Sequence, residues 1–182
     1  ISTDVLSDIR KATLFNNDNC GNINVSFLDF QSYGKARIKS FKCSPDGLVQ
    51  VCLQWAYHRV HDELPGFCYE PASTKQFLCG RTEAIRASTQ ASADFVKYMT
   101  SKNAEVDKKR AVELLRAACS THSFNAKEAI SGRGVDRHLF SLFKISKMRG
   151  GKTPDIYQDK AWEVSNTSVI STSNVSSEMI RC

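Results

Sequence analysis

No stretch of the chain approaches the roughly 18 consecutive apolar residues needed to cross a bilayer, which argues against an integral membrane role. There is also no Cys-x-x-Cys pair. The seven cysteines (Cys20, Cys43, Cys52, Cys68, Cys79, Cys119 and Cys182) are odd in number and scattered, so neither a zinc site nor a redox motif is expected, and no metal is assigned. Reduced, structural thiols are the expectation, and with them an intracellular location. Asn-x-Ser matches at Asn24, Asn166 and Asn174 would matter only in a secreted protein and are set aside. No long basic block is present: the formal charge of +6 is dispersed, with small clusters such as Lys108-Lys109-Arg110 and no interleaved aromatics, so nucleic-acid binding is not expected. A Gly-x-Ser-x-Gly elbow, a Walker loop and a Rossmann fingerprint are all missing, so generic motifs name no reaction. Neither an internal repeat nor a linker is visible. The first residue is Ile, and no charged leader with an apolar run can be read, so a missing start is expected.

What is present suits one domain with a real core, since 182 residues with 41% hydrophobic content can bury a sizeable apolar interior. Val5, Leu6 and Ile9 make a short helical pattern before an Asn-rich turn, and Ile23, Val25 and Phe27 alternate as in a half-buried strand. Ser44-Pro45-Asp46 is a helix start, with Ser as N-cap, Pro at the first helical position and Asp in the first turn. The helix is expected to run to about Arg59. Its apolar residues lie nearly all round, which predicts burial against several neighbours. Pro65-Gly66 makes a turn, and the segments 67–74 and 80–87, short and polar, read as loops or strand ends. Helical spacing returns over Ala93 to Met99, over Ala111 to Cys119 and over Leu139 to Ile145, with Gly132 and Gly134 between the last two. An exposed turn around Gly150-Gly151 and a last strand over Ser168 to Ser173 complete the pattern, which predicts an α/β or α+β fold.

The four histidines (His58, His61, His122 and His138) have no partner recognisable in sequence, and a structural or solvated role is expected for each. Larger blocks carry more information. They are Gly34-Lys35-x-x-Ile38-Lys39 with Ser44-Pro45-Asp46, Tyr69-Glu70-x-x-Ser73, Gly80-Arg81-Thr82-Glu83-x-Ile85-Arg86, Asp136-Arg137-His138-Leu139 and Ser171-Thr172-Ser173. In this order and at these separations the chain resembles the choline/carnitine acyltransferase family, from about Ile23 to the C-terminus.

The resemblance implies an α/β, chloramphenicol-acetyltransferase-like fold of two related domains, of which this chain is similar to the first part of the second. Residues 1–182 are then part of a single acyltransferase domain. It implies reversible acyl transfer between acyl-CoA and L-carnitine in fatty-acid metabolism, in mitochondria or peroxisomes, with coenzyme A as co-substrate and no tightly bound cofactor. Oligomeric state is not implied. Phe95-Val96-Lys97, Val112-Glu113-Leu114-Leu115-Arg116 and Pro154-Asp155-Ile156 look like the acetyl-transferring branch.

By the same resemblance Lys35 and Lys39 bind the 3′-phosphate of coenzyme A, Asp46 faces its adenine, and Glu70, Ser73 and Asn174 complete that site. Cationic donors on firm backbone suit a phosphate. On the residues alone, a solvated Lys pair and a helix-starting Asp remain open. Arg137 matches the fork for the carnitine carboxylate, with Tyr69, Thr82 and Ser171 as hydroxyl neighbours, and Ser173 matches the oxyanion donor. The bland readings are a salt-bridging Arg, a half-buried Tyr, a strand Thr and a polar strand edge. Choline has no carboxylate, so Thr82 with Arg137 favours carnitine. Arg81 and Arg86 read as structural ion-pair formers. Pro71 stands where relatives often carry Ser, which removes a hydroxyl and a backbone donor and with them one cofactor contact.

The family's catalytic His is expected before Ile1, and its Phe-Gly-Pro-Val segment beyond Cys182. This chain alone is then expected to be inactive. The rival reading is a non-catalytic protein that binds coenzyme A and carnitine without the base.

Overall fold

The computed structural model describes residues 2–101 and 106–173. They divide at Gly34/Lys35 into two compact units. The first holds helix α1 (Thr3–Gly21), started by Ser2, whose side chain accepts from the Val5 amide, with Asp4 in the first turn. The short helical pattern thus continues through the Asn-rich segment expected to turn. Asn is a poor helix former but does not break a helix, and the first residue that ends it readily is Gly21. The strand expected at Ile23 to Phe27 is also corrected, because residues 22–30 have no regular structure. Alternation alone makes no strand without a partner ladder.

The second unit begins with α2 (Lys35–Ser40) and α3 (Pro45–His61), followed by strands β1 (Phe67–Ser73) and β2 (Thr82–Arg86). Helices α4 (Gln90–Thr100), α5 (Lys108–Ile130) and α6 (Asp136–Met148) come next, then a 3₁₀ turn (Asp155–Tyr157), α7 (Lys160–Asn166) and β3 (Ser168–Ser171). Ser44 caps α3 by accepting from the Gly47 amide, with Pro45 in the first turn, and the helix ends where Asp62 takes a left-handed conformation.

The expectation that α3 is buried all round is corrected. Its inner face is Gly47, Gln50, Val51 and Gln54, whereas Val49 and Leu53 are exposed. Two buried glutamines on a helix interior need specific partners: Gln54 finds them in Ala87 O and Ser92 Oγ, and Gln50 finds one in Thr172 Oγ1. Val51, Phe95, Val96 and Ala118 form the main core, with Trp55, Leu64, Met99, Leu114 and Leu115 packed around it. Trp55 meets Phe95 edge-on at 5.8 Å, an arrangement that aromatic quadrupoles favour. Ala72, Ile85, Ala129 and Ala126 seat the sheet on α5 through small side chains that allow close approach.

The segments 67–74 and 80–87 hold the sheet's paired strands rather than loops. The order is β2-β1-β3, with β1 antiparallel to β2 and parallel to β3. The link between β1 and β2 folds tightly, Thr74 N donating to Arg81 O at 3.0 Å and Gly80 N to Phe77 O at 2.9 Å. A Cβ on Gly80 would fall 2.0 Å from Thr74 O, so this turn requires glycine.

Strand alternation then divides the site residues. Tyr69 pairs with Arg86, Ser73 with Thr82, and Tyr69 with Ser171, so these five share one face. Glu70 and Thr172 take the other. Mixed α/β architecture with a small sheet is therefore established. No helix among the described residues is long and apolar enough to cross a membrane.

Candidate functional site

The first face of the sheet carries a cavity of about 280 Å³ lined by Phe67, Tyr69, Ala84, Asp136, Arg137, Phe140, Phe143, Trp162 and Asn166. Arg137 is the first residue after Asp136 in α6, whose start has no side-chain cap of its own. Glu83, buried on β2, supplies one: its Oε1 accepts from Arg137 N at 3.1 Å and from Ala84 N at 2.7 Å. A carboxylate at a helix N-terminus satisfies orphan amides and complements the helix dipole. Gly134 makes this possible, since a Cβ there would lie 2.2 Å from Glu83 Cγ.

The Arg137 guanidinium then donates from Nη2 to Tyr69 Oη at 2.9 Å, with Thr82 Oγ1 3.5 Å from the same nitrogen. Because Tyr69 Oη accepts here, its own hydrogen is left to donate elsewhere. Arg86 locks the surroundings. Its Nε donates to both Asp136 oxygens at 3.1 Å, its Nη1 to Ser165 O at 2.6 Å, and its guanidinium stacks 4.5 Å over Phe67. Arg86 is thus an ion-pair former, as expected, whereas Arg81 makes no ion pair among the described residues.

On the other face, Pro45, Asp46, Val49, Gln50, Leu53, Glu70, Thr172 and Ser173 line a cavity of about 370 Å³. Three residues singled out from the sequence meet there: Asp46 from the first turn of α3, Glu70 from β1 and Ser173 from beyond β3. Others do not join them. Lys35 and Lys39 lie one turn apart on α2, both exposed, and neither forms an ion pair among the described residues. Ser73 ends β1 opposite Thr82, and Ser171 stands beside Tyr69 in the ladder; neither lines this cavity. Asn174 lies outside the described residues.

His122, expected to be structural or solvated, is buried against a partner that the sequence did not reveal. Its Nε2 lies 2.6 Å from Glu70 Oε2, and both side chains are buried. This hydrogen bond fixes the Glu70 carboxyl where it lines the cavity. The spacing of His122 from Ala118 and Cys119, three or four residues on a helix, was the available signal that it faces inward. Its partner, 52 residues away, left none.

The sequence matches the Choline/Carnitine o-acyltransferase family over residues 1–182. The chain belongs to this family, and its mixed α/β architecture is consistent with that membership. It is 42% identical over 154 residues to a putative mitochondrial carnitine O-acetyltransferase of Saccharomyces cerevisiae, covering 81% of this chain and 22% of the relative. It is 35% identical over 176 residues to the carnitine O-acetyltransferase of Homo sapiens, covering 96% and 28%. It is equally 35% identical, over 158 residues, to the choline O-acetyltransferase of Mus musculus, covering 87% and 24%. The chain therefore spans about a quarter of the length of these relatives.

Proposed function

We propose that the complete protein is a carnitine O-acyltransferase that moves an acyl group reversibly between coenzyme A and L-carnitine, on a chloramphenicol-acetyltransferase-like fold. Relatives acting on carnitine and on choline match this chain at similar identity, so similarity does not choose the acceptor. The observation that carries the choice is the convergence of Arg137, Tyr69 and Thr82. A guanidinium with a phenol held against it suits a carboxylate, and carnitine has one where choline has none. Acyl-CoA metabolism in mitochondria or peroxisomes is the setting this reading implies.

In the reaction, the carnitine hydroxyl attacks the thioester carbonyl and its proton passes to a general base. The carbonyl oxygen gathers negative charge, which the Ser173 hydroxyl stabilises by donating to it. Collapse of the tetrahedral species breaks the carbon–sulfur bond. The coenzyme A thiolate takes the proton back from the base, which is a His supplied by the complete protein. Lys35 and Lys39 bind the 3′-phosphate, Asp46 the adenine amino group, and Glu70, Ser73 and Asn174 complete the coenzyme A contacts. Ser171 stands beside the carnitine group.

Arg137→Asn in the complete enzyme tests the acceptor. The change leaves the carboxylate without its main counter-charge, so KM for carnitine should rise at least about tenfold, roughly 1.4 kcal/mol. Acyl-CoA should bind nearly as before, and the preference for carnitine over choline should narrow. An unchanged carnitine KM would mean that Arg137 only packs its helix.

A further inference from the structure

Helix α3 points two glutamines one turn apart at the sheet, and they are satisfied unequally. Gln54 is fully paired: Nε2 donates to Ala87 O at 3.0 Å and Oε1 accepts from Ser92 Oγ at 2.7 Å, which ties the end of β2 to the start of α4. Gln50 donates from Nε2 to Thr172 Oγ1 at 2.8 Å, but its Oε1 is buried without a partner among the described residues. A buried orphan carbonyl is a cost that packing alone would remove, since an apolar side chain of similar size would fill the place with nothing unpaired.

The bond that Gln50 keeps has a definite reach. The Thr172 hydroxyl donates onward to Tyr69 O at 3.1 Å, and Thr172 N donates to the same oxygen at 2.9 Å. With its one hydrogen committed to Tyr69 O, the hydroxyl can only accept from α3, which fixes the orientation of the Gln50 amide. Thr172 is therefore held from two sides at the point where β3 has ended. Its neighbours in the chain are Ser171 and Ser173, and Ser173 lines the same cavity as Gln50.

We propose that Gln50 is a positioning residue for acyl transfer: through Thr172 it fixes the Ser171-Thr172-Ser173 segment, so that the Ser173 hydroxyl is aimed before substrate arrives. Preorganisation of this kind is where an oxyanion donor gains its effect, because a donor that must reorient during the reaction loses much of it. The inference rests on the reading of Ser173 given above.

The test uses the complete protein. Gln50→Leu should lower kcat about tenfold, the scale of a partly misplaced donor, with KM for acyl-CoA and carnitine within about twofold. The midpoint of thermal unfolding should not fall, because the lost bond is offset by removal of the orphan carbonyl. Thr172→Val should reproduce the kcat defect and Thr172→Ser, which keeps the hydroxyl, should rescue it. In a Ser173→Ala background, Gln50→Leu should add less than about a twofold further loss, as expected when one residue acts through the other. Full additivity, or a raised KM with kcat intact, overturns the proposal.

Hydrogen exchange gives an arm independent of turnover, since the Thr172 amide should exchange faster in Gln50→Leu. Unchanged protection there overturns the clamp whatever the kinetics. Wild-type protein inactive with both carnitine and acyl-CoA would defeat the functional reading instead, leaving the exchange result to decide the clamp.

Discussion

Cys119, on α5, lies in a buried cluster with Ile38 and Cys43. Burial, with the neighbouring Cys43 thiol adding to it, pushes the Cys119 thiol up from its ordinary 9.0 to about 12. The thiolate is the reactive form, so Cys119 should be inert near neutral pH. In the folded protein, mass spectrometry after brief alkylation should find Cys20 and Cys79, both exposed, modified well before Cys119 or Cys43. Early modification of Cys119 would mean that α5 opens readily. A thiol whose folded pKa is raised contributes stability that is present below about 9 and lost as pH climbs toward about 12.

At this scale the sequence was informative about residue type and silent about partners. Ser44 with Pro45 announces a helix start, whereas the short helix that carries Lys35 and Lys39 was not read from the pattern. Nothing in a linear pattern joins Glu70 to His122 or Gln50 to Thr172, 122 residues apart. Each of those bonds depends on how α3 and α5 cross the sheet.

Among the elements, α6 shows how the residue proposed to bind the carnitine carboxylate, Arg137, is set by a neighbour rather than by its own helix. Its first turn depends on the Glu83 carboxylate, and that carboxylate occupies the space a side chain at position 134 would need. Gly134→Ala should therefore displace Glu83, uncap α6 and move Arg137. Destabilisation of about 1–3 kcal/mol is expected, the usual cost of overpacking a filled site, together with a raised carnitine KM. A thermal-unfolding cycle with Glu83→Ala checks the mechanism: the double variant should be little worse than Glu83→Ala alone, because the clash has gone. Simple additivity would place the strain elsewhere.

Helices α4, α5 and α6 were legible from apolar stripes, α5 only as far as Cys119, and α3 from its Ser44-Pro45 start. Helix α1 was under-read, since its second half is polar Asn and Asp, residues that favour turns without enforcing them. The strands β1 and β2 were under-read for the opposite reason. Glu70, Glu83 and Pro71 interrupt any apolar alternation, and only pairing with buried partners accommodates them.

For the molecule as a whole, the decisive question is whether these residues can carry out chemistry without the rest of the protein. Acyl transfer needs a base within reach of the carnitine hydroxyl, and only four side chains could be a histidine base. His122 is the one beneath the cavity, but its Nε2 is held by Glu70 and its Nδ1 is buried, so neither nitrogen reaches a substrate atom. His61 stacks on Tyr57 at 4.3 Å near the far end of α3, and His58 lies beside Trp55 and Met99. His138 is exposed on α6 and lines neither cavity.

The purified chain should therefore release no thiol from acyl-CoA in response to carnitine, measured with a thiol-reactive dye against a matched blank. Robust carnitine-dependent release would overturn this, and a His122→Gln variant would then locate the cause. Activity lost in that variant would make His122 the base and require the Glu70 contact to open during turnover. Activity kept would point to a base of another kind in the cavity beside Ser173, where Asp46 and Glu70 are the candidates.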